Sequence, residues 1–161
     1  MPEGYAVRRA RVEEAGALTA LTMRSKAYWG YNAEFLSRAE PELTFRAEKF
    51  GPEFLVFVLE AQERYVGFYS LVPLTAMVIE LYDLFVEPDH IGQGAGKLLW
   101  SHAVETARSL GCRTMVLTAD PHAEAFYKKR GAVTTGYVPS SVETGRNLPR
   151  MEYQIQQDES L

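Results

Sequence analysis

The segment from Tyr82 to Ser109 constrains this chain more than any other. An apolar run to Val86 meets Pro88, glycines follow at 92, 94 and 96, and an amphipathic helical pattern begins. A switch from a strand period to a helical one across a short glycine loop specifies a strand–turn–helix unit. Such a loop at a helix start turns several backbone N–H groups toward one point, where the helix dipole adds partial positive charge. Successive N–H groups of this kind make an anion-binding nest. The unit therefore reads as a cradle for a phosphate-bearing molecule. It is not a Walker loop, because Gly96-Lys97 is followed by Leu98 and no hydroxyl is placed for magnesium. The spacing is not G-x-G-x-x-G either, and Cys112 to Leu117 stands where a dinucleotide site wants a strand-end acid. A plain turn is the bland alternative, but alternating glycines cost backbone entropy with no packing return.

The rest of the chain falls into short elements around this unit. Tyr5 to Arg9 alternates as a strand. Val12 to Tyr28 carries Ala15, Leu18, Leu21 and Thr22 on one helical face, and Asn32 caps a shorter helix to Ala39. Pro41 and Leu43 to Phe50 suggest another helical turn or two before Gly51-Pro52. Phe54 to Leu59 and Val66 to Leu71 are β-favouring runs around Gln62-Glu63, a hairpin pattern. Ala76 to Val86 is a third long strand. Lys97 to Leu110 is a helix with Leu98, Leu99, His102, Ala103, Thr106 and Leu110 at helical spacing, stopped by Gly111. Arg113 to Thr118 is a strand. Asp120-Pro121 opens a helix that runs to Arg130 and stops at Gly131. Val133 to Val138 is a strand, Pro139 to Pro149 a loop, and Met151 to Ile155 a last strand. Strands followed by alternating helices and strands describe a mixed α/β (α+β) domain with one central sheet.

Composition narrows the function class. At 161 residues one domain is expected, residues 1–156, with a frayed polar tail at 157–161. A net charge of -4 argues against non-specific nucleic-acid binding and mildly suits a cationic partner such as an amine. The one cysteine, Cys112, has no partner for an internal disulfide, which fits a reducing compartment. No leader pattern and no apolar run of about eighteen residues is seen, so a cytoplasmic protein without a membrane span is expected. The histidines, His90, His102 and His122, are too scattered for a zinc site, and no metal is expected.

Two motifs in order carry a family resemblance. Val86 to Pro88 reads V-E-P and Ile91 to Gly96 reads I-G-Q-G-A-G; Asp120 to Ala132 reads D-P-H-A-E-A-F-Y-K-K-R-G-A. These resemble the GCN5-related N-acetyltransferase superfamily, with its Q/R-x-x-G-x-G/A loop and its N-x-x-A-x-x-F-Y-x-x-x-G-F/A helix. The departures are Ile91 for Arg or Gln and Asp120 for Asn. Arg24 to Tyr31 and Gly145 to Pro149 also look like a bacterial branch, so the resemblance covers nearly the whole chain. It implies a mostly antiparallel twisted sheet, flanked by helices, whose fourth and fifth strands splay apart. It implies acetyl-CoA as co-substrate, with the pantetheine arm along Leu84, Phe85 and Val86. The diphosphate would lie on Ile91, Gly92, Gln93, Gly94, Ala95, Gly96 and Lys97, with Asp120, His122, Ala123 and Tyr127 near the arm.

Acetyl transfer to an amine needs a neutral amine, a polarised carbonyl and a proton for the leaving thiolate. The resemblance makes Tyr127 the candidate acid; packing beside Phe126 is its other reading. Glu80 and Asp83 are candidate bases because both interrupt an apolar strand. They are three apart, so an unbroken strand sends them to opposite faces and a bulge would change that. Glu80 is preferred, since some members of the family carry an acid at that point. Asp120 reads first as a helix cap, His90 as a solvated turn residue and His102 as a core-edge histidine. Tyr28, Trp29 and Tyr31 are candidates for an acceptor wall, through cation–π attraction or simple helix packing. Arg146 is a candidate for an acceptor carboxylate or a phosphate, or a surface arginine. Cys112 opens a strand expected to be buried, which speaks against an acyl-enzyme.

The expected function is acetyl-CoA-dependent transfer to a primary amine of a small molecule, by direct attack in a ternary complex, in a monomer or homodimer. A protein N-terminus or lysine as acceptor, and a non-catalytic acyl-CoA-binding module, remain as alternatives.

Overall fold

A computed structural model describes residues 4–44 and 50–157. The strands are β1 (Tyr5–Arg9), β2 (Leu55–Ala61), β3 (Arg64–Pro73), β4 (Val78–Val86), β5 (Thr114–Thr118), β6 (Val133–Pro139) and β7 (Asn147–Gln154). They form one sheet in the order β1-β2-β3-β4-β5-β7-β6. Every neighbouring pair is antiparallel except β4–β5. The helices are α1 (Ala15–Tyr28), α2 (Ala33–Leu43), α3 (Ala95–Ser109) and α4 (Glu124–Lys129). A single 3-10 turn leads into α1 at Val12–Glu14 and into α4 at Pro121–Ala123.

Alternation along the strands divides the core between the two faces of the sheet. Phe68 joins Val56 and Val58 under Leu18 and Leu21 of α1, whereas Tyr69, Leu71, Ile79 and Leu81 pack with Leu99, Ala103 and Ala107 of α3. The β2–β3 hairpin turns at Gln62 and Glu63, both left-handed (φ 52° and 63°). That geometry matches the twist of the flanking strands. Glu14 is buried before α1, bonded by Arg8 Nη2 at 2.7 Å and by the Tyr65 hydroxyl at 2.6 Å. The Arg8 hydrogen bond is the main reason its carboxyl titrates at about 2.

The parallel β4–β5 ladder is short. It pairs Val78 with Thr114, Ile79 with Met115 and Glu80 with Val116, and stops. Beyond Glu80 the two strands part, as the resemblance implies, and the gap opens toward the glycine loop. On its other edge β4 carries a bulge. Ser70 pairs with Asp83 but Leu71 pairs with Leu81, which leaves Tyr82 as the extra residue. The bulge puts Glu80 (opposite Val72) and Asp83 (opposite Ser70) on one face of the sheet.

Several boundaries differ from the sequence reading. The α2 helix runs through Pro41 to Leu43 instead of stopping at Ala39. Proline forfeits one donor near the end of a helix, and Thr44 N–H still reaches the Glu40 carbonyl at 2.9 Å. Residues 45–49 of the helical stretch expected at Leu43 to Phe50 lie outside the described residues, as does the tail beyond Gln157. The third strand starts at Val78, because the Thr75 hydroxyl accepts from Met77 and Val78 N–H and holds a tight turn. α3 begins at Ala95, so Gly96 is helical, and Leu110 lies exposed at its end. The expected loop from Pro139 to Pro149 shrinks, because β6 reaches Pro139 and β7 begins at Asn147.

Gly67 lets α3 sit close to the sheet. A Cβ there would lie 2.6 Å from the Phe85 carbonyl oxygen and 2.9 Å from Leu99 Cδ1. Neither backbone nor helix can yield without separating the layers that frame the gap. Gly67→Ala is expected to destabilise the fold by about 2 kcal/mol, within the range for overpacking a core. A lowered midpoint in urea unfolding checks this, and an unchanged midpoint would show that the layers yield freely.

Candidate active site

The parting of β4 and β5 makes a cleft of ≈ 730 Å³ that runs from the glycine loop to α2 and the β6–β7 loop. One end is the cradle. Gly92 and Gly94 are left-handed (φ 84° and 87°), a conformation that side chains resist, and Gly94 caps α3. Among the described residues, the N–H groups of Gly92, Gly94, Ala95, Gly96 and Lys97 have no backbone partner. Gly96 faces α4 so closely that a Cβ would lie 3.3 Å from the Phe126 ring. Lys97, Lys129 and Arg130 line this end. The donor set fits a diphosphate: backbone N–H groups at a helix start, backed by cations. Ile91 adds an apolar wall where the resembled motif has a polar side chain.

The mid-cleft holds Leu84, Phe85 and Val86 on one side and Leu117, Thr118 and Ala119 on the other, with Ala123 and Tyr127 below. Tyr127 is 7% exposed and packs on Trp100 and Phe126. Among the described residues its hydroxyl has no hydrogen-bond partner. Burial first, then the charges of Asp83 and Asp120, hold the phenol above its ordinary pKa, so it stays protonated. Asp83, nearly buried, lines the cleft and accepts from the Ser70 hydroxyl at 2.6 Å. Glu80 shares that face of β4 but does not line the cleft. Arg150 Nη1 binds it at 2.8 Å and also donates to Thr118 Oγ1 at 2.9 Å.

The far end is tied by a polar knot. Asp120 Oδ2 accepts from Lys26 Nζ at 2.7 Å and from the Tyr31 hydroxyl at 2.7 Å, while Oδ1 accepts from His122 N–H at 2.9 Å. Arg146 Nη2 donates to the Tyr31 hydroxyl and stands 3.5 Å from Asp120 Oδ2. Burial would raise the Asp120 carboxyl, but the Lys26 charge and the hydrogen bonds from Lys26, Tyr31 and His122 outweigh it and the pKa falls. Burial and the Asp120 bond push the Tyr31 phenol upward, against Arg146. Asp120 is therefore the N-cap that the sequence suggests and also the hub joining α1, the β5–α4 turn and the β6–β7 loop. Ser141 of that loop donates to Glu42 of α2 at 2.6 Å, a second tie across the same end.

Of the proposed acceptor residues, Trp29 lines the cleft and stacks on His122 (5.7 Å between ring centres, planes 10° apart). Tyr31 belongs to the knot, and Tyr28 lies outside, more than half exposed. Gln93 and Ala95 are not among the residues that line the cleft. His90 is not the solvated turn residue expected: it lines the cleft, and its Nδ1 is buried without a partner among the described residues. Cys112 is buried, its thiol raised by burial, and it does not line the cleft. The sequence reading missed Lys26, Phe35, Glu42 and Arg150. For Lys26 a signal existed: it continues the Leu18–Thr22 stripe of α1, and a cation in such a stripe must meet an acid. Among the described residues no cluster of three or more metal-ligating side chains occurs, and no helix is long and apolar enough to cross a membrane.

The chain is similar to known proteins in sequence and in fold. The model of the acetyltransferase (GNAT) family matches residues 21–132. The chain is 38% identical over 133 residues to the peptidyl-lysine N-acetyltransferase YjaB of Salmonella typhimurium, covering 81% of this chain and 84% of that protein. A GCN5-related N-acetyltransferase of Rhodopseudomonas palustris superposes with a TM-score of 0.76 at 22% identity, over 92% of this chain and 94% of the other. YncA of Salmonella typhimurium, solved with its cofactor acetyl-CoA, superposes with a TM-score of 0.70 at 22% identity, over 98% of both chains.

Asp120→Ala leaves Lys26 and Arg146 facing each other in a nearly enclosed site. Breaking such a pair by removing one partner costs about 3 kcal/mol. Urea unfolding checks this, and a loss no larger than that of a surface substitution would mean the knot relaxes into solvent.

Proposed function

Because the chain belongs to the GNAT family of acetyltransferases, we propose that it is an N-acetyltransferase whose acetyl donor is acetyl-CoA and whose acceptor is a small primary amine. The observation that carries the donor is the set of unpartnered N–H groups at Gly92 and Gly94 to Lys97, facing a cleft between parted strands. The loop would hold the diphosphate, with Lys97 alongside. The edge of β4 from Leu84 to Val86, released from β5, would pair with the amides of the pantetheine arm as a strand would. The bound thioester supplies the acetyl group: a C–N bond forms to the amine as the C–S bond breaks. A serial acyl-enzyme has no support, since the thiol of Cys112 is buried, held neutral and outside the cleft.

The chain's own groups then divide the proton work. An alkyl ammonium with a pKa of about 10.4 arrives charged and must lose a proton before it attacks. Asp83 is the better base, because it lines the cleft while Glu80 is spent on Arg150. Ser70 holds one Asp83 oxygen and so fixes the direction of the carboxylate. Tyr127 keeps its proton and has no competing partner among the described residues, which suits it to protonate the departing sulfur. The β6–β7 loop, tied over the acceptor end through Ser141–Glu42 and Arg146–Tyr31, favours a small acceptor. A protein lysine is the second reading. YjaB, named for peptidyl-lysine acetylation, favours it.

Calorimetric titration with acetyl-CoA, with ATP as control, tests the donor; failure to bind acetyl-CoA would sink this reading. Tyr127→Phe is expected to lower kcat by about a hundredfold, the lower range for loss of a positioned acid, while acetyl-CoA affinity stays unchanged. Equal kcat would remove Tyr127 from the chemistry. Asp83→Asn is expected to depress kcat more than Glu80→Gln, and steady-state rates with one acceptor decide it. The reverse order would return the base to Glu80.

A further inference from the structure

Arg146 is charged, enclosed and under-used. Its guanidinium carbon lies 4.8 Å from the Tyr31 ring centre and 5.1 Å from that of Phe35, so two rings pack on the charged group. Only Nη2 has a partner among the described residues, through Tyr31 and, at 3.5 Å, Asp120. Nε and Nη1 have none, although the side chain is only 18% exposed and borders the cleft. A guanidinium anchored at one nitrogen, with its other donors bordering the cleft, is placed to meet an acceptor that enters it.

The neighbouring charges do not use up this capacity. Asp120 already takes Lys26, the Tyr31 hydroxyl and the His122 N–H at hydrogen-bond distance. Lys26 and Arg146 together set two positive charges against that one carboxylate. Glu42, the other acid at this end, accepts from Ser141. The remaining acid of the cleft is Asp83, on β4. The cleft thus carries an acid on the bulged strand and, on the β6–β7 loop, a cation with donors to spare.

We propose that the acceptor is a primary amine that also carries a carboxylate, and that Arg146 binds this carboxylate through its idle nitrogens. The proposal rests on the acetyltransferase reading and narrows its acceptor to the class of amino acids. The carboxylate takes a charge-assisted bond from a pre-set donor, and the amine is thereby turned toward Asp83. Lys26 and Tyr31 act as positioning residues: they take the hydrogen bonds of Asp120 Oδ2, so that Arg146 meets it only at 3.5 Å, through Nη2, and keeps Nε and Nη1 for the acceptor.

The test compares α-, β- and γ-amino acids with their own carboxamides, following thiol release from acetyl-CoA by a colorimetric reagent. Acetyl-CoA binding is first established by calorimetry, so a lost donor site is seen separately as failure of the underlying reading. At least one acid is expected to exceed its carboxamide by about tenfold or more in kcat/KM, because a site built for a charged acceptor group discriminates strongly. The difference should lie mainly in KM. Arg146→Gln is expected to abolish the preference and Arg146→Lys to restore part of it, with acetyl-CoA affinity retained as the sign of a folded protein. Carboxamides that serve as well as the acids overturn the proposal and leave the acetyltransferase standing. So does acetyl-CoA binding with no turnover of any acid in the panel. A preference that survives in Arg146→Gln removes Arg146 as its source.

Discussion

Everything functional in this molecule depends on the early end of one parallel ladder. β4 and β5 share pairs only from Val78 to Glu80. Unpaired backbone inside a protein is costly unless water or a ligand meets it. A sheet that parts in its middle therefore needs firm support on both sides. On the β4 side the support is dry: Gly67 allows close approach, and Leu99 and Ala103 of α3 pack on Tyr69, Leu71 and Leu81. On the β5 side β7 continues the ladder from Thr114 to Thr118, so β5 keeps a full antiparallel partner where it loses β4.

The two ends of the opening are built by different physics. At the glycine loop, backbone geometry does the work: left-handed glycines, a helix start, and a Phe126 ring packed tightly against Gly96. At the α2 end, side chains do it, through a carboxylate that collects Lys26 and Tyr31 from the α1–α2 region and meets Arg146 from the β6–β7 loop. Backbone cradles tolerate side-chain change, so Ile91 can stand where the resembled motif has Arg or Gln. Side-chain knots do not, because removing one member strands the others.

This division also explains what could be read from the sequence. The cradle was legible because glycines at 92, 94 and 96 have a local meaning, and the motif beginning at Asp120 fixed a cap and a helix. Most elements were likewise local, and the misplaced ends have local causes, such as the Thr75 hydroxyl that starts β4 late. The relation between Glu80 and Asp83 was not legible. It turns on one extra residue, Tyr82, whose bulge reflects pairing with β3 rather than any feature of β4 alone. Arg150 was equally hidden, seventy positions from the Glu80 that it engages.

The bulge then has a consequence for how proton transfer is divided along β4. The bulge brings Glu80 and Asp83 to one face of β4, but only Asp83 lines the cleft. Arg150 engages Glu80 and bridges to Thr118 across the parted strands. One acid thus helps hold β4 and β5 at a fixed separation, while the other, held by Ser70, stays turned to the cleft. The same local irregularity in strand pairing therefore sets both the width of the opening and the number of carboxylates that face it.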